Sequence, residues 1–149
     1  MRPRFRRATP ADAPALLTVR AATRENPFSI DALAAIGVTA ESVARGLESG
    51  TLAGWVVEAE AGAVAGFCLA DVPAAELWVL AVLPTHEGRG FGRELLARTE
   101  QLIWQAGHPS AWLWTSPDPS LRAHGVYLAA GWQEAELREG QLFMRKPQP

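Results

Sequence analysis

Cysteine is almost missing from this chain of 149 residues: Cys68 stands alone, which excludes an internal disulfide and any cysteine-built zinc site. The three histidines, His86, His108 and His124, are scattered rather than spaced as ligands, so no metal is expected. Charge of one sign is also missing. Lys and Arg number 14 against 16 Asp and Glu, a net charge of -2, and without a basic field neither nucleic acid nor an anionic membrane is an expected partner. No apolar run approaches the roughly 20 residues of a membrane span. The basic start, Met1 to Arg7, is not followed by a continuous apolar stretch, so no secretory leader is expected and a cytoplasmic location is. Tyrosine occurs once, at Tyr127, whereas tryptophan occurs six times. What remains, 48% hydrophobic and 20% charged residues, is the usual balance of a globular chain, and the length suits one domain over residues 1–149.

Local patterns predict the elements in order. Phe5 lies in a short strand. Thr9-Pro10-Ala11-Asp12 reads as a cap, a proline at the first helical position and an acid in the first turn, opening a helix over 11–23. Residues 24–38 read as a loop with helical pieces. Thr39 caps a helix that Gly50 closes, strands 54–60 and 63–70 flank a tight turn at Ala61-Gly62, and a third strand runs from Glu76 to Leu83. Apolar residues recur at helical spacing between Gly88 and Ala106, and Gly107 with Pro109 ends that helix. A Trp-rich strand 111–115, a helix 120–130 stopped by Gly131, and a hairpin over 133–144 complete the order β, α, α, β, β, β, α, β, α, β, β.

The strongest chemical signal is Glu87-Gly88-Arg89-Gly90-Phe91-Gly92-Arg93, set between an apolar strand and the long helix. Alternating glycines allow a sharp turn and close approach of a ligand to the backbone. The unpaired N–H groups of the helix start, with the positive end of its dipole, form an anion site suited to a pyrophosphate, and Arg89 and Arg93 add charge. A P-loop fits poorly because Arg93-Glu94 follows Gly92, and so does a dinucleotide fingerprint, which lacks its third glycine. Taken alone, the motif also fits a strand-to-helix connection that uses glycine only for backbone freedom.

The stretch Leu77 to Leu96 resembles the acetyl-CoA motif of the GNAT acyltransferase superfamily, V-x-P followed by Gln/Arg-x-x-G-x-Gly/Ala, here Val82-Leu83-Pro84 and then Glu87 to Gly92. Glu87 departs from the usual Gln/Arg. A second motif, Asn-x-x-Ala-x-x-x-Tyr and then Gly-Phe, is matched by Ser120, Ala123, Tyr127, Gly131 and Trp132, with Ser120 in the asparagine's place. The resemblance implies an α/β fold with a mixed, mostly antiparallel central sheet and helices on both faces, splayed between strands 76–83 and 111–115 to admit acetyl-CoA. It implies that the loop from Glu87 to Arg93 holds the pyrophosphate, that backbone groups of Ala81 and Val82 meet the pantetheine arm, with the Val82 N–H as oxyanion donor, and that Ser120 and Tyr127 approach the coenzyme. By the same resemblance Tyr127 would protonate the leaving thiolate, and Glu76 stands where some members, including histone-type acetyltransferases, place the general base.

Each assignment has a simpler counterpart. Tyr127 also suits a core position on an amphipathic helix, and Glu76 a solvated strand edge, with Asp71 and Glu25 as reserve bases. Cys68, inside an apolar strand, reads as buried packing, so transfer is expected to be direct rather than through an acyl-enzyme. His86 and His124 read as surface residues. Most tryptophans read as core, but strand alternation puts Trp78 on the face of Glu76, where it could line an acceptor pocket with Phe28. In this superfamily the segment between the first helices shapes acceptor choice, which points to Arg24, Glu25 and Asn26. The expected activity is N-acetyltransfer to a primary amine of a small molecule or peptide. The alternatives are another acyl donor or oxygen acceptor, and a non-catalytic acyl-CoA sensor. Exposed hairpin edges leave room for a homodimer.

Overall fold

The computed structural model describes residues 3–23, 29–59 and 62–149. Arg24, Glu25, Asn26 and Phe28, named above as acceptor residues, and Ala61 of the tight turn lie outside the described residues. Strand β1 (Arg4–Arg7) leads into a 3-10 turn at Pro10–Asp12 and helix α1 (Ala13–Ala22). The acid of that first turn does more than cap: Asp12 accepts from the Thr9 N–H at 2.7 Å and from both Arg6 guanidinium ends at 2.8 and 2.9 Å, while Arg6 Nε donates to Glu58 at 2.9 Å. One arginine thus ties the helix start to two strands. The segment read as a loop with helical pieces contains α2 (Ile30–Ala35), capped by Ser29, whose hydroxyl accepts from the Ala32 N–H at 3.0 Å. Helix α3 (Ala40–Ser49) begins at the Thr39 cap and ends at Gly50, with φ of 85°.

Strands β2 (Leu52–Glu58), β3 (Val64–Asp71) and β4 (Glu76–Val82) form an antiparallel meander. Helix α4 (Phe91–Gln105), strand β5 (Ser110–Thr115), helix α5 (Arg122–Ala129) and the hairpin β6 (Gln133–Arg138) and β7 (Gln141–Pro147) come next in the chain. The sheet order is β1-β2-β3-β4-β5-β7-β6, antiparallel throughout except between β4 and β5. The two sheet faces bury separate cores. Leu95, Leu96 and Ile103 of α4 and Tyr127 of α5 pack with Leu77, Leu113 and Met144 on one face. Leu16 and Val19 of α1 and Val43 of α3 pack with Val56, Phe67 and Leu69 on the other.

Two features set β4 apart from the other strands. Leu69 pairs with Val79 and Ala70 with Leu77, so Trp78 is an extra residue and the strand bulges there. Leu77 and Leu80 then join the α4 face while Trp78 and Val79 both join the α1 face, a break in strict alternation. β4 and β5 register at Glu76 and Trp112 alone, after which they diverge.

Most tryptophans are core residues, as expected: Trp104 and Trp132 are buried, and half-buried Trp55 and Trp78 pack against the two cores. Trp112 is half-buried, and Trp114, beside the gap left by the divergence, is 51% exposed. The surface reading of His124 is overturned. It is buried between α5 and β6, with Nε2 at 3.2 Å from a Glu134 carboxylate oxygen. Cys68 is buried, and burial pushes its thiol up to about 12.

Candidate active site

β4 runs into the short turn Pro84–His86, and the chain then takes two left-handed steps, Gly88 at φ 81° and Gly90 at φ 80°. Glycine suits both because L side chains are strained there. Gly90 is the N-cap of α4 and provides no side-chain cap, and the first i→i-4 bond runs from the Glu94 N–H to the Gly90 carbonyl at 3.2 Å. The N–H groups of Phe91, Gly92 and Arg93 therefore lack intrahelical acceptors and point out of the helix end with its positive dipole. Buried Phe91 anchors this end edge-on against Phe5, at 6.0 Å between ring centroids, and His86 stacks on its other side at 6.3 Å.

The gap between β4 and β5 forms a cavity of about 650 Å³. Gly88, Gly90, Gly92 and Arg93 line one end with Arg122 of α5, whose guanidinium lies 3.6 Å from the Glu87 carboxylate. That pair offsets the negative charge of Glu87 beside the uncapped helix end. Along the β4 wall, the Leu83 N–H donates to Ala65 of β3 at 2.8 Å, so backbone alternation turns the Val82 N–H toward the opposite edge, which is the gap. Trp78 lies about 13 Å further back along the strand at the usual rise per residue. Tyr127, Arg20, Trp114 and Gln141 also line the cavity.

Tyr127 is buried, with its ring edge-on to Trp132 at 6.3 Å, and the Trp132 N–H donates to its carbonyl at 3.0 Å. Burial pushes its phenol well above the ordinary tyrosine range and nearby Cys68 adds to the rise, while the positive charge of Arg20 opposes it. Arg20 comes from the last turn of α1. Its guanidinium sits over the Trp78 ring, 5.7 Å from the centroid, and burial lowers its pKa.

Glu76 lies elsewhere. It lines an adjoining hollow of about 270 Å³ with Ser42, Asp71 and Trp78, and Trp78 is the wall the two hollows share. Burial, then repulsion from Asp71, its cross-strand partner, raise the Glu76 pKa, and a hydrogen bond with Trp114 moderates the rise.

Of the residues singled out from sequence, Trp78, Ala81, Val82, Glu87, Gly88, Gly90, Phe91, Gly92, Arg93 and Tyr127 line the one cavity. Arg89 is exposed and does not line it, and neither does Ser120, whose hydroxyl donates to Asp118 Oδ1 at 2.7 Å just before α5 begins. Sequence reasoning missed Arg20, Trp114, Arg122 and Gln141. For Arg20 a signal existed: helical spacing from Leu16 and Leu17 places this arginine on the inward face of α1.

The family model of the Acetyltransferase (GNAT) family matches residues 19–132. Among solved structures, the PaiA N-acetyltransferase of Thermoplasma acidophilum in complex with coenzyme A superposes with a TM-score of 0.84 at 18% identity, covering 99% of this chain and 100% of that one. The ribosomal-protein-S18-alanine N-acetyltransferase of Escherichia coli gives 0.74 at 20% identity, over 98% and 94%. YncA of Salmonella typhimurium, with its cofactor acetyl-CoA, gives 0.72 at 18% identity, over 99% and 94%. A comparison with curated protein sequences finds no match. The uncapped helix end, the splayed strands beside it and the family match over most of the chain lead to one conclusion: this protein belongs to the GNAT acetyltransferase family.

Proposed function

We propose that this protein transfers an acetyl group from acetyl-CoA to a primary amine of a small molecule or peptide by direct attack. The observation that carries the reading is the uncapped N-terminus of α4 opening onto a cavity whose far end holds the chain's only tyrosine. The diphosphate of the coenzyme is held by the N–H groups of Phe91, Gly92 and Arg93, and the pantetheine arm follows the free edge of β4 past Val82 and Ala81. The Val82 N–H faces the gap and stabilises the oxyanion of the tetrahedral intermediate.

Glu76, with its raised pKa, accepts the amine proton through a water molecule from the adjoining hollow, which shares Trp78 with the main cavity. The amine nitrogen bonds to the acetyl carbon, the carbon–sulfur bond breaks, and the departing sulfur takes its proton from Tyr127. Burial keeps that phenol protonated through the neutral range, so the donor is in place when the thiolate forms. Cys68, buried and with its thiol pushed up, takes no part as a nucleophile. We place the reaction in the cytoplasm, the location expected from the sequence.

The test is an acetyl-CoA turnover assay following free thiol across amino acids, polyamines, aminoglycosides and peptide N-termini. Acceptor-dependent thiol release is expected for at least one class. Tight coenzyme binding with no acceptor-dependent release across the panel would replace this reading with that of an acyl-CoA sensor.

A further inference from the structure

We propose that Trp132 and Glu100 are positioning residues for the reaction: an indole held by a buried carboxylate fixes the ring of Tyr127, and so the place where the leaving thiolate meets its proton donor. The inference rests on the acetyl-transfer reading, which gives Tyr127 that role, and holds for any acceptor. Tyr127 lies in α5 and Trp132 just beyond it, joined by the bond from the Trp132 backbone N–H to the Tyr127 carbonyl at 3.0 Å. Both side chains are buried, and their rings meet edge-on with centroids 6.3 Å apart. The indole is in turn held at its nitrogen. Trp132 Nε1 donates to Glu100 Oε2 at 2.7 Å, and Lys146 Nζ donates to the other carboxylate oxygen, Oε1, at 2.6 Å.

Packing alone does not require this arrangement. The buried indole nitrogens of Trp55 and Trp104 have no hydrogen-bond partner among the described residues, so the core holds a tryptophan without one. A buried ion pair is costly to desolvate and is often no more stabilising than apolar groups of similar volume. Its effect here is geometric. A charge-assisted bond is about twice as strong as a neutral one and fixes the direction of its donor. The carboxylate that accepts it belongs to α4, the helix whose uncapped N-terminus takes the diphosphate, and Glu100 lies about 14 Å along the axis from Phe91. One helix therefore sets both the anchor of the coenzyme and, through Trp132, the ring that meets its sulfur. A misplacement of about 1 Å in such a group can cost about 100-fold in rate.

The experiment follows thiol release, with the acceptor that proves active in the panel above, for Trp132→Phe and for two variants that leave no lone charge buried, Glu100→Leu/Lys146→Met and Glu100→Gln/Lys146→Met. Loss of the tether should lower kcat by about 10- to 100-fold in Trp132→Phe and in the Leu variant, with KM for acetyl-CoA unchanged. The Gln variant keeps an oxygen acceptor for the indole and should retain most of kcat. In a Tyr127→Phe background the same substitutions should lower kcat no further, because they act through the phenol. An equal drop with and without Tyr127, or an unchanged kcat in the Leu variant, overturns the inference, and the Glu100 variants decide it alone where Trp132→Phe does not fold. Because Tyr127 is the chain's only tyrosine, a fluorotyrosine label gives a fluorine NMR signal from that ring alone. In the coenzyme A complex a sharp resonance is expected for wild type and the Gln variant, and a shifted, exchange-broadened one without the tether. That pattern sustains the positioning role even where no acceptor releases thiol, which would then count against acetyl transfer alone. The same resonance in every variant overturns it.

Discussion

Two alanine substitutions two positions apart separate the backbone conformation of the glycine turn from simple glycine flexibility. At Gly90, φ is 80° and nothing lies within 4 Å of an added Cβ, so the whole penalty of Gly90→Ala comes from placing an L residue in the left-handed region. That penalty is about 1–2 kcal/mol, which for a domain of this size lowers Tm by about 2–8 °C. Gly92 sits inside α4 with an added Cβ meeting only Val82 Cγ2 at 4.0 Å, an ordinary contact. Gly92→Ala should therefore raise stability, by up to about 1 kcal/mol from helix propensity. The assays are thermal melting and calorimetric titration with acetyl-CoA. Gly90→Ala should also weaken coenzyme binding, because a residue that relaxes to negative φ turns the Phe91 to Arg93 donors away from their common target. The reasoning is refuted if both variants shift Tm in the same direction, or if Gly90→Ala melts lower yet binds acetyl-CoA as wild type does.

Tyr127→Phe should lower kcat by about 10²–10⁴-fold with coenzyme affinity unchanged, a split read from steady-state kinetics and titration; an unchanged kcat removes the phenol from the mechanism. As the proposed base, Glu76 acts ionised, and with its pKa raised the acidic limb of kcat/KM should lie above the ordinary glutamate range, and Glu76→Gln should abolish that limb with most of the activity. A raised carboxyl pKa in the folded state costs stability above that pKa, so Glu76→Gln should melt higher than wild type at neutral pH, with the difference shrinking as pH falls through the Glu76 titration. The buried Glu100 carboxylate accepts from Lys146 Nζ at 2.6 Å and from the Trp132 indole at 2.7 Å, joining α4, β7 and the end of α5. Lys146→Met leaves that charge without its counterion and should cost about 3–5 kcal/mol in chemical denaturation.

Much of the fold was legible because its signals are local. Thr39 and Gly50 bracket α3 through their own backbone chemistry, and the glycines before α4 mark a turn that other residues resist. Most of the residues named for the coenzyme follow from that same local motif and line the cavity, whereas Ser120 and Arg89 share its sequence neighbourhood but not its walls. The part of the cavity around Trp78 was far less legible. Trp78 was found by alternation, yet the bulge that sends Val79 to the same side is a property of the β3–β4 register, and His124 is buried only because β6 returns across α5.

The chain order therefore determined, by itself, the elements, the uncapped helix start and the single phenol, since each depends on residues within a turn or two of one another. The tertiary structure decided the rest. Only the divergence of β4 from β5 makes a cavity, and only the packing of α1 across the bulged strand brings Arg20 to Trp78, which also lines the hollow of Glu76. Those contacts join segments far apart in the chain, whose approach is set by sheet register and by the burial of helix faces rather than by local sequence.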